Sequence, residues 1–172
     1  MFADRPVVAP ALPACLYIEI TNRCNSLCET CPRTFITREP LCDITWENFK
    51  HVVDSNPAMN RAVLHGIGEP LMHKELLRMI RYLKARNVYV LFNTNGVLLH
   101  RPMQEKLIEA GLDELRISLD GATPETYFKI RGIPALDKVI QKSAEMVATQ
   151  RRLNALNPRL SFFFTGMKAN LP

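Results

Sequence analysis

The chain has 172 residues, 47% of them hydrophobic, with a net charge of +5 and five cysteines. That is one domain's worth of sequence with enough apolar residues for a real core, and it contains no apolar run of the roughly 18 residues a membrane span requires. Lys and Arg are spread along the chain, with Arg151-Arg152 the one tight cluster. The positive balance therefore reads as solvated helix faces rather than as a nucleic-acid surface.

Met1–Pro13 is rich in Pro and Ala and lacks the charged start and apolar core of a secretory signal, so it reads as a loose lead-in. From there strands and helices alternate. Strand-like runs rich in Val, Ile, Phe and Tyr occur at 16–20, 62–65, 88–92, 114–118 and 159–165. Helical patterns lie between them. Trp46, Phe49, Val52 and Val53 share one helical face behind a Thr45 N-cap, and Leu76, Ile80 and Leu83 share another. Pro102 opens a third helix that Gly111 stops. Thr123-Pro124 starts a fourth, and Leu136, Val139, Ile140 and Val147 mark the last. This order implies parallel strands joined by right-handed crossovers. The second to fourth strands recur about every 26 residues, close to the roughly 30-residue βαβ unit. A closed eightfold barrel needs about 250 residues, so the expected fold is α/β, an incomplete parallel (β/α)5-6 barrel spanning 14–172. Ligands of such folds gather at the carboxyl ends of the strands.

The segments that follow the strands carry the chemistry. After the first comes Cys24-x3-Cys28-x2-Cys31. A four-iron cube normally takes four thiolates, so three leave one iron open. A structural zinc site wants four ligands, which Cys15, Cys42 or a distant His could complete. Five cysteines, an odd number, with three clustered, suit metal better than disulfides and point to a reducing, cytoplasmic setting. Cys15 and Cys42 have no motif around them and read as a small strand residue and a loop residue. After the second strand comes Gly66-Ile67-Gly68-Glu69-Pro70, which is either a plain turn or a close backbone approach with a carboxylate for a ligand ammonium. Asn93 to Gly96 follows the third strand, with Asn95-Gly96 a common turn pair. Ser118-Leu119-Asp120-Gly121 closes the fourth, and Thr165 to Asn170 follows the fifth. His65 and His73 flank the glycine segment and are expected to be structural.

These motifs, in this order and spacing, resemble the radical S-adenosylmethionine (radical SAM) superfamily, across about Ala14 to Pro172. Thr123-Pro124-Glu125-Thr126-Tyr127 and Lys129-Ile130-Arg131-Gly132 resemble the branch that often carries a C-terminal SPASM-type extension with further clusters. The resemblance implies a [4Fe–4S] cluster on Cys24, Cys28 and Cys31. It also implies S-adenosylmethionine (SAM) held by Gly66, Gly68, Glu69, Pro70, Asn95, Ser118, Asp120 and Arg131. Within that set Glu69 and its neighbours take the methionyl amine, Ser118 the ribose and Arg131 the carboxylate, while Asp120 is read as contacting ligand or ordering the loop. Bland alternatives stand beside these: a strand end at Ser118 and Asp120, an ordinary solvated cation at Arg131. The expected activity is reductive cleavage of SAM to a 5′-deoxyadenosyl radical that takes hydrogen from a peptide or small metabolite. A flavodoxin- or ferredoxin-type electron donor is the expected partner. The alternative is an iron–sulfur or zinc module without turnover. Two departures from the family pattern bear on adenine. Thr30 stands where an aromatic residue often precedes the third cysteine, with Tyr17 or Phe35 as candidate substitutes. A sixth strand is also missing, so that the chain reads as truncated after the fifth.

Overall fold

The computed structural model describes residues 11–35 and 39–171; most of the expected lead-in, residues 1–10, lies outside them. Five strands form one sheet: β1 (Cys15–Tyr17), β2 (Arg61–Val63), β3 (Tyr89–Thr94), β4 (Glu114–Ser118) and β5 (Arg159–Phe163). They lie in sequence order and every neighbouring pair is parallel. The helices are α1 (Pro32–Phe35), α2 (Trp46–Asp54), α3 (Leu76–Lys84), α4 (Arg101–Glu109), α5 (Pro124–Arg131) and α6 (Leu136–Arg152), with a 3-10 turn at Pro70–Met72. This is the α/β partial barrel expected from the alternation.

Local chemistry sets the element ends. The Thr45 hydroxyl accepts from the Asn48 amide (3.2 Å) and the Thr123 hydroxyl from the Thr126 amide (3.2 Å), each satisfying an otherwise unpaired donor of a first helical turn. Gly111 follows α4 as a stop. Strand bounds shift slightly from the sequence reading. β1 ends at Tyr17 and β2 at Val63, although the next amide of each still bonds across the sheet, Ile18 to the Val63 carbonyl (2.9 Å) and Leu64 to the Leu91 carbonyl (2.9 Å). The apolar residues that mark α6 do not all face the core. Ile140 is exposed, and α6 meets the core through Leu136, Val139 and Met146, with Ser143 and Thr149 buried between them. Those polar groups are satisfied: the Ser143 hydroxyl donates to the Val139 carbonyl (2.7 Å) and that of Thr149 to Gln104 Oε1 (2.8 Å).

Strand alternation divides the sheet into two faces. Ile18, Ala62, Leu64, Val90, Phe92, Leu115 and Ile117 join one core with the helices. The opposite face carries Glu114, Arg116 and Ser118 from β4, with Asn93 from β3. Asn93 pairs in register with Arg116, and Ser118 with Phe163. The core thus fixes the sheet while leaving a polar concave face. Among the described residues no helix is long and apolar enough to cross a membrane.

Candidate active site

At the carboxyl ends of the strands a cavity of about 340 Å³ opens, within the range of small-molecule sites. Cys24, Cys28 and Cys31 line it, as do Gly66, Gly68, Glu69, Asn95, Ser118, Asp120 and Arg131. Pro70 is the one expected site residue that does not. It is buried at the start of the 3-10 turn, where its fixed φ suits a first helical position.

The cysteine loop is held from three sides. On the first, the turn after β2 presses against the segment leading into Cys24. A Cβ on Gly66 would fall 2.1 Å from Glu19 Oε1, and one on Gly68 would fall 2.1 Å from the Thr21 carbonyl oxygen. The Ile67 amide donates to Glu19 Oε1 (2.6 Å) and the Glu69 amide to the Arg23 carbonyl (2.7 Å). The two glycines thus admit the chain itself. On the second side, Asn95 Nδ2 donates to Asn25 Oδ1 (2.7 Å) and Ser26 Oγ (3.0 Å), and lies 4.0 Å from Cys24 Sγ. On the third, the Glu29 amide donates to the Ile130 carbonyl at the end of α5 (2.9 Å). Within the loop the Thr34 hydroxyl donates to the Cys28 carbonyl (2.8 Å), and Arg33 donates to the Ser26 carbonyl.

Glu69 is buried and well supplied with donors. Its Oε1 accepts from the Leu71 amide (3.1 Å) and the Thr94 hydroxyl (2.7 Å), and its Oε2 from the Asn95 amide (2.7 Å). Burial pushes its pKa up, against those hydrogen bonds. A carboxylate has about four lone-pair positions, so Oε2 keeps capacity for one more donor. Asp120 is a strut: Oδ2 accepts from Arg131 (3.0 Å), Oδ1 from the Thr165 amide (2.9 Å), and its carbonyl from Asn170 (2.8 Å). It ties the ends of β4 and β5 to α5. Burial opposes the charge on Arg131, but Cys28, Asp120 and Tyr127 more than offset this and hold the guanidinium protonated.

The metal-type donors at the cavity are the three thiols. Cys28 is buried, Cys24 and Cys31 half-buried. Burial raises the Cys28 pKa, Arg131 opposes this, and the neighbouring Cys24 and Cys31 add to it. Yet among the described residues no three His, Cys, Asp or Glu side chains converge as the ligands of one ion. A single zinc draws its sulfurs to about 2.3 Å, whereas a cube spreads its thiolate-bound irons apart. Three thiols on one loop line the same cavity, one ligand short of a closed zinc site and the number a cube with one open iron would take. Cys15 and Cys42 are exposed and neither lines the cavity.

Some lining residues escaped the sequence reading. Phe163 is the aromatic ring at the cavity, with the Arg116 guanidinium 4.7 Å from its centroid. Tyr17 and Phe35 are exposed and do not reach it. His65 and Asn93 lie on the floor, each with a buried, unpartnered polar atom. Burial lowers the His65 pKa and Arg116 lowers it further, while Glu19 raises it, so the imidazole is neutral. Continuing the period of two past Val63 and from Arg159 through Ser161 would have flagged His65 and Phe163.

The model of the radical SAM superfamily matches residues 18–150. The chain belongs to the radical SAM superfamily. Members of this family are enzymes that use a [4Fe–4S] cluster and SAM. Among curated relatives, the chain is 32% identical over 123 residues to the AdoMet-dependent heme synthase of Methanosarcina barkeri, covering 71% of this chain and 35% of that one. It is 30% identical over 137 residues to the mycofactocin maturase MftC of Mycobacterium tuberculosis, covering 79% and 35%. The chain therefore spans about a third of the length of these relatives. In fold it is similar to Streptococcus suis SuiB bound to its precursor peptide SuiA, with a TM-score of 0.65 and 18% identity, covering 80% of this chain and 31% of that one.

Proposed function

We propose that residues 14–172 are the catalytic core of a radical SAM enzyme, with Cys24, Cys28 and Cys31 holding three irons of a [4Fe–4S] cluster. One observation carries this reading: the three thiols and the motif segments after β2, β3 and β4 share one cavity. When bound and reduced, such a cluster supplies one electron that cleaves SAM into methionine and a 5′-deoxyadenosyl radical able to take hydrogen from substrate.

The chain's own residues position and enclose. The Gly66–Glu69 turn and the spare capacity of Glu69 Oε2 suit the methionyl amine. Arg131, half-buried and charged, suits the carboxylate. Ser118, at the end of β4 with no partner for its hydroxyl among the described residues, suits a ribose hydroxyl, and Phe163 offers the aromatic face that Thr30 does not. Asn95 and Asp120 serve as struts of the site. No general base is needed, so the groups work by orientation and by excluding water.

For substrate, the likeness to SuiB, seen bound to a precursor peptide, favours a peptide, and the heme synthase keeps a small metabolite as the second candidate. A flavodoxin- or ferredoxin-type protein would supply the electron in a reducing, cytoplasmic setting. The test is anaerobic reconstitution, reduction and electron paramagnetic resonance with and without SAM, followed by assay for 5′-deoxyadenosine, with Cys28→Ala as control. A SAM-perturbed cluster signal and cysteine-dependent 5′-deoxyadenosine are expected. Tight zinc in place of any cluster would overturn the reading.

A further inference from the structure

Tyr127 lies midway along α5 and is completely buried, yet its hydroxyl has no hydrogen-bond partner. One turn later on the same face, Arg131 spends Nη1 on Asp120 while its Nε is also buried and unpartnered. Two orphaned donors one turn apart on one helix face are unusual in a folded protein. The Arg131 guanidinium is a polar neighbour of the hydroxyl, and neither Tyr127 Oη nor Arg131 Nε has a partner at full hydrogen-bond geometry. Burial holds the phenol protonated, and therefore a donor.

This helix is pressed against the cysteine loop on both sides of Cys28. The Leu27 carbonyl oxygen would lie 2.4 Å from a Cβ on Gly132, and the Glu29 amide donates to the Ile130 carbonyl. Cys28 itself is buried, and both Tyr127 and Arg131 lie within its electrostatic reach. A thiol is a weak acceptor, whereas a metal-bound thiolate or sulfide is a strong one. The chain thus carries a desolvated donor on the helix packed against the loop of the one cysteine it buries, and the hydroxyl has no partner among the described residues.

We propose that the Tyr127 hydroxyl is a hydrogen-bond donor to the Cys28 side of the iron–sulfur cluster and raises its reduction potential. This rests on the reading of Cys24, Cys28 and Cys31 as cluster ligands. The reduced cluster carries one more negative charge, so a fixed donor to its sulfur favours that state. Tyr127 is on this account a tuning residue, and the bond it makes exists only when the site is loaded.

The test compares wild type with Tyr127→Phe, which removes the hydroxyl and little else, in the absence of SAM. Redox-poised electron paramagnetic resonance of reconstituted protein should show a lower potential in the variant. At the wild-type midpoint its ratio of reduced to oxidised cluster should fall about tenfold, or about 59 mV for a one-electron couple. An exchangeable deuteron coupled to the reduced cluster in D2O should be present in wild type and absent in the variant. The cluster-free variant should melt no lower than cluster-free wild type, since the bond is unmade there. Equal potentials in equally loaded proteins overturn the proposal. So does a cluster-free variant that melts clearly lower, because the protein itself would then be using the hydroxyl. A variant that melts normally but takes up no cluster overturns it as well, assigning Tyr127 to assembly. If wild type takes up no cluster, the underlying reading fails and this inference falls with it.

Discussion

Two faces of one strand do different work here. Along β4, Leu115 and Ile117 are fully buried in the helix-packed core. Glu114, Arg116 and Ser118 alternate with them toward the concave face, where Glu114 accepts from Arg116 (2.7 Å), Arg159 (3.0 Å) and the Tyr89 hydroxyl (3.1 Å). The apolar face gains by leaving water and is indifferent to which apolar neighbour it meets. The polar face must find specific partners, because a buried charge left unpaired is expensive. Stability and chemistry are therefore written on alternate residues of the same five-residue element.

Truncating the apolar face should cost most. Leu115→Ala is expected to lose about 2–5 kcal/mol in urea unfolding, whereas Ser118→Ala, on the other face, should stay within about 0.5 kcal/mol and weaken SAM binding instead. Equal losses would erase the division between the faces. The polar face should show itself through pH. Burial pushes the Glu114 pKa up, but the bonds from Arg116, Arg159 and Tyr89 outweigh it and hold the carboxyl at about 2, against 4.5 unperturbed. A depressed folded pKa gives stability that is present above about 4.5 and lost as pH falls from there toward 2. Unfolding followed across that window should slope steeply in wild type and less so in Glu114→Gln.

Smaller effects sharpen the contrast at the rim. Gly132 has φ +69°, and a Cβ there would lie 2.4 Å from the Leu27 carbonyl oxygen. Gly132→Ala should cost about 1–3 kcal/mol and, by pushing the cysteine loop off α5, lower the iron bound per chain after reconstitution. Retained iron at wild-type level would mean that the loop does not need that contact. Least of all, Thr123→Ala should cost about 1 kcal/mol through the lost cap of α5, measured by chemical denaturation, with iron content unchanged.

The amino-acid order alone determined what depends on local rules and short spacing. Alternating strand and helix patterns dictated parallel strands in sequence order. Thr45 and Thr123 announced their helices, because an N-cap is satisfied within three residues. Cys24, Cys28 and Cys31 announced one shared site, because three thiols so close must share a neighbourhood. Tertiary packing decided the rest. Gly66 and Gly68 read equally well as turn or ligand-approach residues until Glu19 and Thr21, more than forty residues away in sequence, were found against them. Phe163, not Tyr17 or Phe35, is the ring at the cavity, since only the register of β5 on β4 fixes which aromatic faces inward. Tyr127 looked like one more helix residue, and its buried, unpaired hydroxyl is visible only once α5 is packed on the loop. Distant partners leave no mark on local sequence, because the fold, not the chain spacing, sets which groups meet in the absence of water.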